Sequence, residues 1–151
     1  MKKISLSICC ILFGANLFAQ ILAPVKWSYA AKKLKEKKEA VLFFKATIGD
    51  GWHIYSVNQK EGGPVRTSFV FPPSTRYRLV GKITEPRPVT KFEQAFAINV
   101  NYFERSVVFR QKILLRKGGT PVKGKVHFMV CNDEKCLPPQ DVEFNIPLNK
   151  L

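Results

Sequence analysis

With 151 residues, 46% of them hydrophobic, the chain has material for one domain around one real core and no room for a second. It carries 25 Lys and Arg against 11 Asp and Glu, a formal charge of +14. Its two histidines, His53 and His127, sit in no Ser-His-Asp order, glycine-rich phosphate loop or zinc-protease motif, which argues against a hydrolase.

Taken from the start, Lys2 and Lys3, the apolar run Ile4 to Phe18 and the small Ala19 predict a secretory signal peptide over residues 1–19, leaving 20–151 as the mature domain. The run is short for a membrane span, which needs about 20 residues. Nothing later approaches that length, so the mature protein is expected to be soluble. Leu17 is bulky for its place two residues before the cut, which leaves the exact site open by a few residues. Cys9 and Cys10 go with the leader; reading Cys9 as a lipid-anchor site would leave only Ile4 to Ile8 as apolar core, which is too little. Export places the mature chain in the periplasm, where thiols tend to be oxidised. Without Lys2 and Lys3 the formal charge is +12, from 23 basic and 11 acidic residues. An exported protein seldom meets nucleic acid, so no nucleic-acid partner is expected. The charge fits solubility, attraction to anionic surfaces or steering toward acidic partners.

Short β-type runs then recur between turn signals, with no long helical period. Val25, Trp27, Tyr29 and Ala31 alternate; the mixed-charge run Lys32 to Glu39 reads as a solvated turn; Leu42, Phe44, Ala46 and Ile48 alternate again. Trp52 to Val57, Arg66 to Phe71, Tyr77 to Thr84, Ile98 to Phe103 and Val107 to Leu115 follow, punctuated by Gly49-Asp50-Gly51, Gly62-Gly63-Pro64, Pro72-Pro73, Pro86 and Pro88. With the two runs of the C-terminal hairpin this gives about nine strands, and an all-β, immunoglobulin-like β-sandwich is the predicted architecture.

The last hairpin carries the chemistry. In Lys125 to Cys131, Val126, Phe128 and Val130 take one face, and His127, Met129 and Cys131 the other. The return run puts Val142, Phe144, Ile146 and Leu148 on one face. Two such strands, facing each other across Asn132 to Lys135, would oppose Cys131 and Cys136 at a separation a disulfide accepts. The chain-entropy value of a six-residue ring is only about 2 kcal/mol, against about 4.7 for a loop of 100 residues. A small exposed ring therefore suits opening and closing, although secreted hairpins also carry small structural bridges, and both readings stand on these residues. The pair lacks the two-residue spacing and helix start of thioredoxin-like sites, and Lys135 is opposed by Asp133 and Glu134, so it reads as a mild nucleophile. It would work best as a relay opened by a better thiolate. A metal site joining His127 to the cysteines is disfavoured, since four residues of strand set His127 about 13 Å from Cys131; no metal or cofactor is expected.

The run from Val122 through Cys131 and Cys136 to Leu137-Pro138-Pro139-Gln140, together with Gly51-Trp52-His53-Ile54-Tyr55-Ser56, resembles the N-terminal periplasmic domain of the disulfide reductase DsbD. The resemblance extends over most of the mature chain. It implies an immunoglobulin-like fold whose redox-active cysteines, here Cys131 and Cys136, receive electrons from a membrane donor of DsbD or CcdA type and deliver them to periplasmic thioredoxin-like proteins, in routes that include cytochrome c biogenesis. Cys136 would be the cysteine that forms the mixed disulfide. It also implies two supporting elements: aromatic residues of a neighbouring strand beside the cysteines, matched by His53 and Tyr55, and a cap loop matched by Lys91 to Ala97. In that loop Phe96 is the cap, Phe92 the alternative and Glu93 the acidic neighbour; ordinary strand packing and a core Phe are the competing readings. Two departures stand out. The full-length reductase continues into a membrane domain and a thioredoxin-like domain that these residues lack, so electrons are expected from a separate protein. The cysteine ring is also a residue shorter than in the best-known members, which leaves potential and partner choice open. The rival reading is an exported binding or assembly module with a purely structural disulfide.

Overall fold

Strict alternation of apolar and polar side chains settles which side of each strand meets the core. The computed structural model describes residues 22–34, 38–94, 96–116 and 121–148, which form eleven strands and no helix. These are β1 (Val25–Lys33), β2 (Glu39–Ile48), β3 (His53–Tyr55), β4 (Ser68–Val70), β5 (Tyr77–Thr84), β6 (Val89–Glu93), β7 (Ile98–Glu104), β8 (Ser106–Leu115), β9 (Val122–Phe128), β10 (Val130–Cys131) and β11 (Gln140–Ile146). The leader predicted over 1–19 lies outside the described residues.

One layer is the antiparallel sheet β1-β2-β8-β5; the other is built from two sheets, β10-β3-β7-β6 and β11-β9-β4. Between them lies one core. Leu42, Phe44 and Ala46 of β2 and Phe109 and Ile113 of β8 enter it from the first layer, Ile54, Phe103, Val126, Phe128, Val130 and Phe144 from the second. Rings interlock across the gap: Trp27 stacks on Phe109 at 6.0 Å and meets Phe128 edge-on at 5.4 Å, while Phe44 lies 4.8 Å from Phe69 and 4.9 Å from Phe144. Gly124 leaves the space that Phe144 fills, since a Cβ there would stand 2.2 Å from the Val70 carbonyl oxygen and 2.5 Å from Phe144 Cζ. The all-β immunoglobulin-like sandwich read from the sequence is the fold observed.

Two expectations need correction. The predicted strand through Cys131 does not run whole against the last strand. The β9-β11 ladder ends at Phe128 opposite Gln140, and after Met129 the chain crosses to the neighbouring sheet, where Val130 and Cys131 pair with Ile54 and His53. Side-chain alternation continues through Met129, so nothing in the pattern marked the change of partner. Second, Val89 to Glu93, lying after Pro88 and partly within the expected cap loop, is a strand at the sheet edge; Val89 to Phe92 are exposed and Glu93 half-buried. With neither face in the core, it lacks the alternation that marks a half-buried strand.

Candidate functional site

Cys131 reaches the site on β10, whose two residues split between two environments. Val130 points into the main core, while Cys131, 2% exposed, points outward into a second cluster with Tyr55 and Val100, flanked by Ile98, Tyr102 and Met129. The chain then reverses through Asn132 to Lys135. Asn132 Oδ1 accepts the backbone N–H groups of Glu134 (3.0 Å) and Lys135 (2.7 Å), the Asn132 N–H donates to the Lys135 carbonyl, and the Leu137 N–H donates to the Val130 carbonyl. An Asn side chain bonding backbone two and three residues on is what a tight polar turn requires. Cys136 is thereby set directly opposite Cys131, with Cα atoms 4.0 Å apart, and the two form a disulfide.

The ring is not uniformly exposed, as the hairpin reading had it. Cys131 is buried and Cys136 open to solvent. A thiolate arriving from outside therefore meets Cys136 first.

Register places the surrounding groups. Cys131 is opposite His53, His53 opposite Glu104, and Tyr55 opposite Tyr102. Glu93 is opposite Ile98 on the β6-β7 hairpin. Paired residues share a face, so Cys131, His53, Tyr55, Tyr102, Val100 and Glu93 all lie on the outer face of this sheet. His53 Nε2 and the Tyr55 hydroxyl are hydrogen-bonded at 3.1 Å, and the His53 ring packs 5.4 Å from Tyr55 and 5.0 Å from Tyr102.

Burial lowers the His53 pKa; the carboxylates of Glu104, Asp133 and Glu93 pull it back up and Lys91 adds to the lowering. Burial, joined by the Glu93 carboxylate, pushes the Tyr55 hydroxyl up to about 12. Near neutral pH the pair is thus an uncharged imidazole bonded to a firmly protonated phenol.

Of the cap residues, Phe92 lies on the opposite face of β6 from Glu93 and is 56% exposed. Phe96 is 36% exposed in the β6-β7 turn, its N–H donating to the Glu93 carbonyl. Tyr102 and Val100 were missed by sequence reasoning. Only the β3-β7 register, a long-range pairing, puts them beside the bridge. His127 is drawn away from the site into a hydrogen bond with Asp141 (2.6 Å), which also binds Lys125. Among the described residues no three His, Cys, Asp or Glu side chains converge as a metal site.

Three solved structures share this arrangement of strands. The reduced N-terminal domain of DsbD from Neisseria meningitidis superposes with a TM-score of 0.53 at 18% identity, covering 70% of this chain and 75% of that one. The N-terminal periplasmic domain of ScsB from Proteus mirabilis gives 0.62 at 19%, covering 83% of this chain and 47% of that one. The complex between the DsbD and PilB N-terminal domains of N. meningitidis gives 0.53 at 16%, covering 83% and 87%. Identities this low establish a shared fold only. No curated protein matches the sequence. A family model described as thiol:disulfide interchange protein DsbD, N-terminal, however, matches residues 19–147, a span that contains both cysteines and every residue grouped around them. The chain therefore belongs to the DsbD N-terminal domain family.

Proposed function

We propose that this protein is a periplasmic thiol-disulfide relay, taking electrons from a membrane donor of DsbD or CcdA type and passing them to thioredoxin-like proteins through Cys131 and Cys136. The observation that carries the reading is the asymmetric bridge: one cysteine exposed, its partner buried against a histidine-tyrosine pair, in a ring too small to be worth much as a staple. Membership of the DsbD N-terminal family supports exchange, and the complex formed by a structural neighbour with the PilB N-terminal domain supports a protein as partner.

In this mechanism a donor thiolate attacks Cys136 Sγ, the S–S bond breaks and the electron pair leaves on Cys131 Sγ. A second donor thiolate attacks the donor's own sulfur in the mixed disulfide and frees Cys136, leaving a dithiol here and a disulfide on the donor. In the forward step Cys136 attacks the acceptor's disulfide; Cys131 then attacks Cys136 Sγ, and the acceptor departs reduced. Cys131 acts in a desolvated place where a bare charge is costly. The neutral imidazole of His53, opposite Cys131, is the group to take its proton, with Tyr55 holding the ring by the 3.1 Å bond. Glu93 tunes this pair, and Phe96, in the β6-β7 turn, is the cap residue of this reading, shielding the bridge from small reductants on the side that Cys136 leaves uncovered.

A redox titration of the purified protein tests the function. A potential near or above about −200 mV is expected of a relay, whereas one below about −300 mV marks a structural bridge and overturns the proposal.

A further inference from the structure

The outer face of the β1-β2-β8-β5 sheet carries a charge pattern that the redox site does not use. Because Leu42, Phe44, Phe109 and Ile113 point inward, their strand neighbours face solvent. Exposed there are Lys26 and Lys32 of β1, Lys45 of β2, Arg110 and Lys112 of β8 and Arg78 of β5. Register interleaves them with half-buried apolar groups. Lys32, Val41, Lys112 and Val80 form one cross-strand row, Ala30, Phe43 and Arg110 another, Ser28, Lys45 and Val108 a third.

Among the described residues the acid on these rows is Glu39, itself half-buried, opposite Leu114. Glu85, beside Arg110 in a cleft at the rim, is engaged by Ser56 Oγ, the Val57 N–H and Asn58 Nδ2. Among the described residues none of the six cations has an ion-pair partner; the ion pair of Lys125 with Asp141 belongs to β9 and β11. The outer face of the opposite layer brings acidic groups together, Glu93, Glu104 and Asp133 acting on His53 with Lys91 among them. Among the described residues, cations without an ion-pair partner thus dominate one side of the sandwich, while the side that carries the disulfide is mixed, its carboxylates accompanied by Lys91.

We infer that this sheet face docks on an anionic lipid bilayer. The cations are spread over all four strands rather than gathered round a pocket, which complements a plane of headgroup charge. Their stems frame Val41, Phe43 and Val108, so ammonium and guanidinium groups reach phosphates while apolar surface meets the interface. The carboxylates on the far side are repelled by the same surface, which fixes the orientation: basic face down, Cys136 toward water.

The test uses the full chain as recovered from the periplasm of an expression host, wild type and variants in the same form, and measures flotation with vesicles of phosphatidylethanolamine containing or lacking phosphatidylglycerol. Binding to the anionic vesicles is expected at 0.05 M salt and should vanish near 1 M, where the screening length is about 3 Å. Each basic residue near an anionic surface is worth about fivefold in partitioning. The variant K45E/R110E/K112E should therefore bind at least a hundredfold more weakly, whereas K60E/R66E/K123E, with the same net charge but an intact face, should keep most of the binding. Urea midpoints confirm that both variants are folded; should the first variant unfold, R110Q/K112Q replaces it, with about a twenty-five-fold loss expected. Equal binding to neutral vesicles, insensitivity to salt or an equal loss in the control variant overturns the inference. So does capture of the face by an acidic protein with no binding to vesicles.

Discussion

Replacing the two cysteines one at a time should give unequal proteins, because the bridge joins unequal places. Both Cys131→Ser and Cys136→Ser lose the ring, worth about 2 kcal/mol. At Cys136, open to solvent, a hydroxyl adds little further. At Cys131, 2% exposed beside Tyr55 and Val100, it must be desolvated, adding about 1–3 kcal/mol if no partner forms. The total of about 3–5 kcal/mol should appear as a lower urea midpoint for Cys131→Ser than for Cys136→Ser.

Reactivity should run the other way. In Cys131→Ser the remaining thiol is exposed and should trap a thioredoxin-like protein or a small disulfide directly. In Cys136→Ser the remaining thiol must wait for local opening, and every 1.4 kcal/mol of opening cost is tenfold in rate. At least a tenfold difference is expected, measured at several pH values so that thiolate fraction is separated from access. Two folded variants that react equally fast would refute the assignment of Cys136 as the attacked sulfur.

Phe96→Ala should speed reduction of the disulfide by dithiothreitol at a stability cost below the roughly 3–5 kcal/mol of a core Phe. Phe92→Ala, on the other face of β6, should leave the rate alone; unchanged rates in both variants would remove the cap. His53 binds its proton at lower pH in the folded protein, through burial, than in the unfolded chain, where the value is about 6.5. Stability should therefore fall as pH drops from about 6.5 through the folded value, and His53→Phe should flatten that part of a urea-midpoint profile. The same substitution should slow the step made by Cys131 by roughly tenfold or more in rapid-mixing experiments. Gly124→Ala, whose Cβ would meet the Val70 oxygen and the Phe144 ring, should lower the urea midpoint by the equivalent of about 1–3 kcal/mol without altering exchange by the protein that remains folded.

Much of the sandwich was legible because its strands are half-buried, and half-burial writes a period of two into the sequence. The same period explains the failures. Val126, Phe128 and Val130 alternate without interruption, since each points into the same core, yet β10 has exchanged one neighbouring strand for another. Alternation reports a side chain's direction and is silent about which strand supplies the hydrogen bonds. It thus told correctly that Cys131 leaves the main apolar row, but not that Tyr55 and Val100 would bury it. The placing of His53 and Tyr55 on one face followed from two-residue spacing, whereas Tyr102 arrives from a strand nearly fifty residues away. The basic face was hidden for the same reason: its six cations are scattered from Lys26 to Lys112, and only the register of four strands gathers them.

The turn at Asn132 bears on how long a partner stays attached. Four hydrogen bonds hold the reversal from Val130 to Leu137, and none involves sulfur, so reduction of the bridge removes no bond that shapes the turn. The second thiol then stands at a high effective concentration beside any mixed disulfide formed at Cys136, since closing the ring again needs no search by the chain. In the proposed relay, a covalent complex with an acceptor would be resolved from within, in one short excursion of Cys131. Electrons would then leave this domain two at a time, and the partner would be let go as soon as it has been served.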